Sequence, residues 1–209
     1  EDGLRWVDSP HNPIIRGSSL EHGGLVRHGD CYYMNGQGSP IPHSVKGARK
    51  RTMVTFTSYD FEHWPQAATL SFRRENIPPR PPTDFEPHRG EQVHVGATLW
   101  NRGNVLIGFY GQYHNESNDR RFSTVDLGLV VSNDALHFKE PIPDFKIVPS
   151  YEEPDGAWPR LLQGQGFENI GDRSIFWYGA WRGTPEGPKS PSGIRVATWP
   201  IDRLGYFAP

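Results

Sequence analysis

Short apolar runs recur along the chain, bounded by Gly, Pro, Asn and Asp, and helical periodicity is hard to find anywhere. The clearest unit is Leu20 to Gly38, which reads as a β-hairpin turning at His28-Gly29-Asp30, where Gly supplies the positive φ that a tight antiparallel turn needs. Two further hairpins follow the same plan, turning at Asn101-Arg102-Gly103-Asn104 and at Gly171-Asp172-Arg173. Glu21 precedes the first hairpin Gly by eight residues; the same offset gives Val95 in the second unit and Gln163 in the third. One unit therefore carries an acid where its sisters do not.

The repeat extends beyond the hairpins. An Asp followed four residues later by an aromatic ring occurs at Asp2 to Trp6, Asp60 to Trp64, Asp134 to Phe138 and Asp202 to Tyr206. From hairpin Gly to this Asp the distance is constant, since 60 − 29, 134 − 103 and 202 − 171 all equal 31. Each unit reads as strand, turn, aromatic strand, variable loop, third strand (Arg51 to Ser58, Asp126 to Ser132), Asp turn and outer strand, which is the plan of a four-stranded propeller blade. The predicted fold is therefore all-β, a single β-propeller domain over 1–209. Its blades are expected at about 14–75, 88–150 and 155–209, with 1–13 the end of a preceding blade and an orphan outer strand near Trp6. Because known rings use about four to eight blades, three complete units are expected to belong to a larger ring, completed by further blades upstream or by a second chain. The Asp and its ring are read as structural: Ser58-Tyr59-Asp60 and Ser132-Asn133-Asp134 look like turns in which short polar side chains bond nearby backbone, and the ring packs between blades. The Pro-rich stretch Asn76 to Pro87 is expected to cross the surface in extended form, and the loops His114 to Ser123 and Thr184 to Ser192 to be exposed.

Composition narrows the function classes. A hydrophobic share of 35% with 12% aromatic, 23 Gly, 20 Pro and seven Trp is that of a turn-rich folded chain, and no apolar run approaches membrane length. The net charge of −2, with signs mixed throughout, gives no case for nucleic acid or an anionic membrane as partner. Cys31 stands alone in an apolar strand and reads as a small buried hydrophobe. Asn115-Glu116-Ser117 matches a glycosylation acceptor, a pattern too short to weigh much.

In a propeller the innermost strands converge on a central channel, so the residues that open those strands line its mouth. Here these are Glu21 and His22, then Glu91 to His94, then Gln163 to Gln165. Glu, His and Gln around a common axis suit sugar hydroxyls, which need donors and acceptors at fixed positions. Trp158, Trp100, Trp181 and Tyr113 offer flat faces for sugar rings, although packing between blades is the commoner use of such residues. The expected partner is carbohydrate, and the substrate-binding candidates are His22, His94, Trp158, Gln163 and Gln165.

Leu20 to Val26 with Gly29 to Met34, and Ser58 to Trp64, resemble the third blade of the five-bladed glycoside hydrolases of families 43 and 32. The resemblance covers nearly the whole chain as a blade pattern, on short motifs. It implies that Glu21 stands at the position of the general acid. Both partner aspartates, on the first and second blades, would fall outside this chain. It also implies hydrolysis of oligo- or polysaccharides and a secreted or periplasmic location. No cofactor is implied, although some members place a histidine near a central metal ion where His94 stands. His22 and Gly23 depart from the small or apolar residue, often followed by Pro, that usually comes after this Glu.

Two other functions compete. Ser58-x-Asp60 and Ser132-x-Asp134 are similar to the aspartate box of sialidases, but the Gly and Thr of that box are missing and no cluster of three arginines opens the strands. The third possibility is a non-catalytic sugar-binding or scaffold propeller, in which Glu21 only accepts hydrogen bonds from hydroxyls.

Overall fold

The computed structural model describes residues 3–15, 21–38, 51–74, 89–117, 119–151, 160–182, 193–201 and 203. Among them there is no α-helix, and the only helical turn is a 3₁₀ turn at Arg120–Phe122. The first sheet is an antiparallel meander of β1 (Glu21–His28), β2 (Cys31–Gly38), β3 (Thr52–Ser58) and β4 (Gln66–Phe72), joined in that order. The second unit repeats it with β5 (Gln92–Asn101), β6 (Leu106–His114), β7 (Thr124–Ser132) and a short outer β8 (Lys146–Val148). The third has β9 (Arg160–Ile170), β10 (Arg173–Arg182) and β11 (Gly193–Pro200), and is tied to the second by one parallel pair, Val125 with Leu161. Its expected outer strand lies almost entirely outside the described residues, as does the Pro-rich crossover.

The hairpin reading holds at all three turns: Gly29, Gly103 and Gly171 have φ of 61°, 85° and 62°. In the first and third, Gly takes the first position of a two-residue loop, because His28 pairs with Cys31 and Ile170 with Arg173. The Asp turns hold too, and they are alike atom for atom. Ser58 Oγ donates to Asp60 Oδ1 and accepts from the amide of Phe61, while Asp60 Oδ1 accepts from the amides of Glu62 and His63. Ser132 and Asp134 make the same bonds to Ala135, Leu136 and His137. In both turns the residue after the Asp has a positive φ, 67° at Phe61 and 61° at Ala135. In both, the histidine three residues on packs its Nδ1 against the Asp carboxylate, at 2.7 and 2.8 Å. Trp64 and Phe138 are buried beyond these turns, as expected of packing rings.

The orphan strand near Trp6 is not formed. Residues 3–15 run as bends and turns, with Trp6 and Val7 almost fully exposed, because no described strand lies alongside to supply a hydrogen-bonding ladder. The glycosylation pattern is closed off as well: the Asn115 amide is buried and donates to Tyr113 Oη, Ser123 Oγ and the Asp119 carbonyl. Cys31 is buried, as its apolar strand requires.

Apolar faces of successive sheets meet in separate clusters. Met53 and Phe72 of the first sheet pack on Val93, Tyr110, Val130 and Phe138 of the second. Phe109 and Leu127 of the second pack on Leu162, Phe176 and Tyr178 of the third, with Trp199 beside them. A third cluster, Met34, Val54, Phe56 and Trp64, is covered by Ile14 and Ile15. This stacking of curled sheets face against face is the blade packing that the repeat predicts.

Candidate functional site

Antiparallel pairing brings the start of each first and third strand to the same end as the close of each second and fourth. Glu21, Gln37, Arg51, Arg74, Gln92, His94, His114 and Asp126 therefore gather at one end of the sheets, and the hairpin and Asp turns at the other. The polar chemistry sits at the end that the sequence assigns to the channel mouth.

The inner strands β1, β5 and β9 lie side by side. A Cβ on Gly23 would stand 2.3 Å from the Gly96 backbone, and one on Gly96 would stand 2.2 Å from Asn35 Oδ1 and 2.6 Å from the Gly36 Cα. Asn35, fully buried, seals this seam: its amide donates to the Ala97 carbonyl at 2.8 Å and accepts from the Ala97 amide at 2.6 Å. On the other side of β5, Trp100 and Phe167 pack with ring centroids 4.9 Å apart. All three inner strands are bulged near their starts, between His22 and Gly24, His94 and Thr98, and Gly164 and Gly166 or their partners. The bulge in β5 is the largest. With the longer loop between the paired residues Asn101 and Leu106, this makes Val93, not Val95, the residue that matches Glu21 on the ladder. Glu21 pairs with Gln37 six positions after the first residue of β2, and Val93 pairs with Gln112 six after the first of β6. Gln163 keeps its predicted place, opposite Gly179 of β10. The acid remains peculiar to the first unit.

Glu21 and His22 open β1 with exposed side chains. His94 is more enclosed, and it meets the first unit directly. Its Nδ1 lies 3.1 Å from Gln37 Oε1 and 3.2 Å from Arg51 Nη1, and Gln37 Oε1 also accepts from the Val95 amide at 3.1 Å. Arginine can only donate and Gln37 Oε1 can only accept, so Nδ1 serves one of these contacts at a time: it accepts from Arg51 when the ring proton is on Nε2 and donates to Gln37 when the proton is on Nδ1. Burial, reinforced by the charges of Arg51 and Arg120, lowers the His94 pKa to about 4, so the ring is neutral at neutral pH. A metal ion does not fit here: the guanidinium of Arg51 already faces Nδ1, and among the described residues no three His, Cys, Asp or Glu side chains converge. Gln163 is half-buried on β9; the side chain of Gln165 and all of Trp158 lie outside the described residues.

Two proposed sugar platforms are instead packing residues. Trp100 is buried against Phe167, with the guanidinium of Arg102 over its ring at 4.6 Å. Tyr113 is buried with its hydroxyl on Ser123 Oγ and its ring 5.3 Å from the Arg51 guanidinium. Trp181 is 57% exposed.

Sequence reasoning missed a charged network beside this mouth. Arg74, its side chain only 1% exposed, bonds to Glu91 and Asp144 at 2.6 Å, to Tyr110 Oη at 2.8 Å and to Glu140 at 3.2 Å. Tyr110 Oη in turn donates to Glu140. His114 joins two strands: Nδ1 lies 2.7 Å from Glu91, and Nε2 lies 2.9 Å from Asp126 without the alignment of a good hydrogen bond. Asp126 also holds Lys146 at 2.7 Å. Burial works against the charge on His114, but Asp126 and Glu91 outweigh it and hold the pKa above its usual value; burial is likewise outweighed at Glu91 and Asp126, whose carboxyls are held below theirs. A sequence signal was there to find. Gly36-Gln37 and Gly111-Gln112 occupy the same ladder positions in two blades, marking where the second strands turn toward the mouth.

No protein-family model matches the chain, and no curated protein matches it. Solved structures do. The Bombyx mori GH32 beta-fructofuranosidase BmSUC1 superposes with a TM-score of 0.54 at 14% identity, over 90% of this chain and 36% of that one. A mutant of the same enzyme in complex with sucrose gives 0.53 at 13% identity, over 89% of this chain and 35% of that one. A glycoside hydrolase of family 32 from Bifidobacterium adolescentis gives 0.51 at 15% identity, over 77% and 26%. This chain thus spans between about a quarter and little more than a third of the length of these three enzymes. What it shares with them, at these identities, is the fold: the all-β architecture of part of the glycoside hydrolase propellers.

Proposed function

We propose that this chain forms part of a glycosidase acting on oligo- or polysaccharides, with Glu21 as its general acid. The observation that carries the reading is the single carboxylate at the open end of the first inner strand, at a ladder position held by Val93 and Gln163 in the sister units. Around it stand the groups that sugar hydroxyls need: Gln37 directly opposite, neutral His94 and Arg51. Departure of a sugar alkoxide is slow unless a positioned carboxylic acid protonates the glycosidic oxygen, and Glu21 is exposed and free to meet that oxygen. Such a role goes with a secreted or periplasmic location, where polysaccharides are met.

The test is Glu21→Gln in the protein that carries this chain. It keeps shape and removes the proton donor, so turnover of glycosides with poor leaving groups should fall by about two to four powers of ten, with binding nearly intact. An aryl glycoside with an activated leaving group should suffer much less. Equal losses on both substrates would overturn the acid role. A wild type that binds sugar and cleaves neither would replace it by a non-catalytic binding function.

A further inference from the structure

We propose that the mouth of the inner strands takes a sugar with an anionic substituent, a carboxylate or a sulfate ester, and that Arg51 binds that substituent. The inference deepens the carbohydrate reading of the same site and rests on it.

Two arginines at this end of the sheets are treated differently. Arg74 is matched by carboxylates from three residues, Glu91, Glu140 and Asp144. Among the described residues, Arg51 is enclosed by neutral partners only. Its amide donates to Gln92 Oε1 at 3.1 Å, its Nη1 lies 3.2 Å from His94 Nδ1, and its guanidinium lies over the Tyr113 ring. No described carboxylate is within ion-pair distance of it, and Nε and Nη2 make no hydrogen bond to any described residue. Burial of this kind disfavours a charge that has no counter-ion, and the pKa of Arg51 is pushed down accordingly.

The described surroundings do not supply the missing charge. Glu21 acts on Arg51 from a distance, and Arg120 adds a second positive charge that acts on both Arg51 and His94. With His94 neutral, the count among the described residues that act on Arg51 is two cations against one carboxylate, and one bound anion would balance it. The chemistry of the open edge agrees. Nε–H and Nη2–H of a guanidinium are parallel donors matched to two oxygens of a carboxylate or a sulfate, whereas a hydroxyl uses only one of them. The contacts on Nη1 and over the Tyr113 ring hold the guanidinium in place, so little side-chain freedom is left to lose on binding.

The test is a set of NMR titrations of the protein with glucuronate, glucose 6-sulfate and glucose. At least one of the two anions should bind about tenfold or more tightly than glucose, and the margin should shrink as salt is raised. A preference for glucuronate alone assigns the substituent as a carboxylate, for the sulfate alone as a sulfate ester. Arg51→Gln should bring the anions level with glucose. Arg51→Lys, which keeps the charge and loses the paired donors, should keep a reduced, salt-sensitive preference and guards against a folding defect in the first variant. Equal binding of all three sugars by the wild type, or a preference that survives Arg51→Gln, would overturn the proposal. Repeating the titrations on Glu21→Gln separates it from the catalytic reading. Anion preference should persist there, so preference without any hydrolysis sinks only the acid role, and hydrolysis that depends on Glu21 without preference sinks only this one.

Discussion

His94 and His114 stand near the same end of the second blade, yet their surroundings drive them to opposite charge states. His94 is enclosed beside two arginines, so folding favours its neutral form; His114 lies between Glu91 and Asp126, so folding favours its charged form. The signs are opposite in consequence. The stability from a neutral His94 is present above the unfolded pKa of about 6.5 and is lost as pH falls from there toward about 4, amounting to up to about 3 kcal/mol. The stability from a charged His114 is complete below the unfolded pKa and is lost as pH rises through its raised folded value. Denaturant unfolding of wild type and His94→Gln between pH 7 and 4.5 should show a shallower acid-side loss in the variant. Equal slopes would show that His94 is not the group responsible. His94 was legible as a mouth residue, because it lies in the stretch Glu91 to His94 that opens the second inner strand. Arg51 was not, because its importance comes from partners on β5 and β6 that are distant in sequence.

The elements owe their shape to a few glycines and short polar side chains, whose costs of replacement differ for physical reasons. At Gly29 a Cβ would meet nothing within 4 Å, so Gly29→Ala carries only the strain of a positive φ, about 1 to 2 kcal/mol. At Gly96 a Cβ would run into Asn35 and the Gly36 backbone, so Gly96→Ala must separate β1–β2 from β5. The loss should be larger, about 3 kcal/mol or more, and thermal melts of the pair would reveal the order. In the Asp turn, buried Ser132 accepts from the Asp134 and Ala135 amides and donates to the Asp134 carboxylate. Ser132→Ala should therefore cost about 1 to 2 kcal/mol while leaving sugar binding unchanged. The turns were readable because each is closed by side chains within a few residues. The equivalence of Glu21 with Val95 failed because the β5 bulge and the wider hairpin between Asn101 and Leu106 are properties of strand pairing, invisible in a count of residues.

At the scale of the whole molecule, the described residues hold the blades by apolar clusters and by one charged junction. Arg74 follows β4 of the first blade and bonds to Glu91, Tyr110 and Glu140 of the second, and the Phe138 amide donates to the Ser71 carbonyl of β4 beside it. Arg74→Ala would leave Glu140 and part of Glu91 enclosed without their cation, a change that in buried pairs costs about 3 to 5 kcal/mol. Hydrogen exchange should then quicken in β4 and the start of β5 while β9 and β10 keep their protection, because these lie across a separate apolar cluster. Uniform loss across all three blades would mean that the junction supports the entire array.

By itself the sequence determined the all-β class, the repeat of the blade, the position of the tight turns and the end of the sheets at which polar residues collect. All of these follow from short-range rules: alternation along a strand, glycine where φ must be positive, and side chains that bond their own backbone a few residues away. Tertiary structure alone decided which charges are balanced. Whether Arg74 meets carboxylates while Arg51 meets none among the described residues, and whether a histidine is held charged or neutral, depends on carboxylates and burial contributed by strands scores of residues apart. An isolated sequence carries the charges, but the distances that set their energies exist only once the blades have packed.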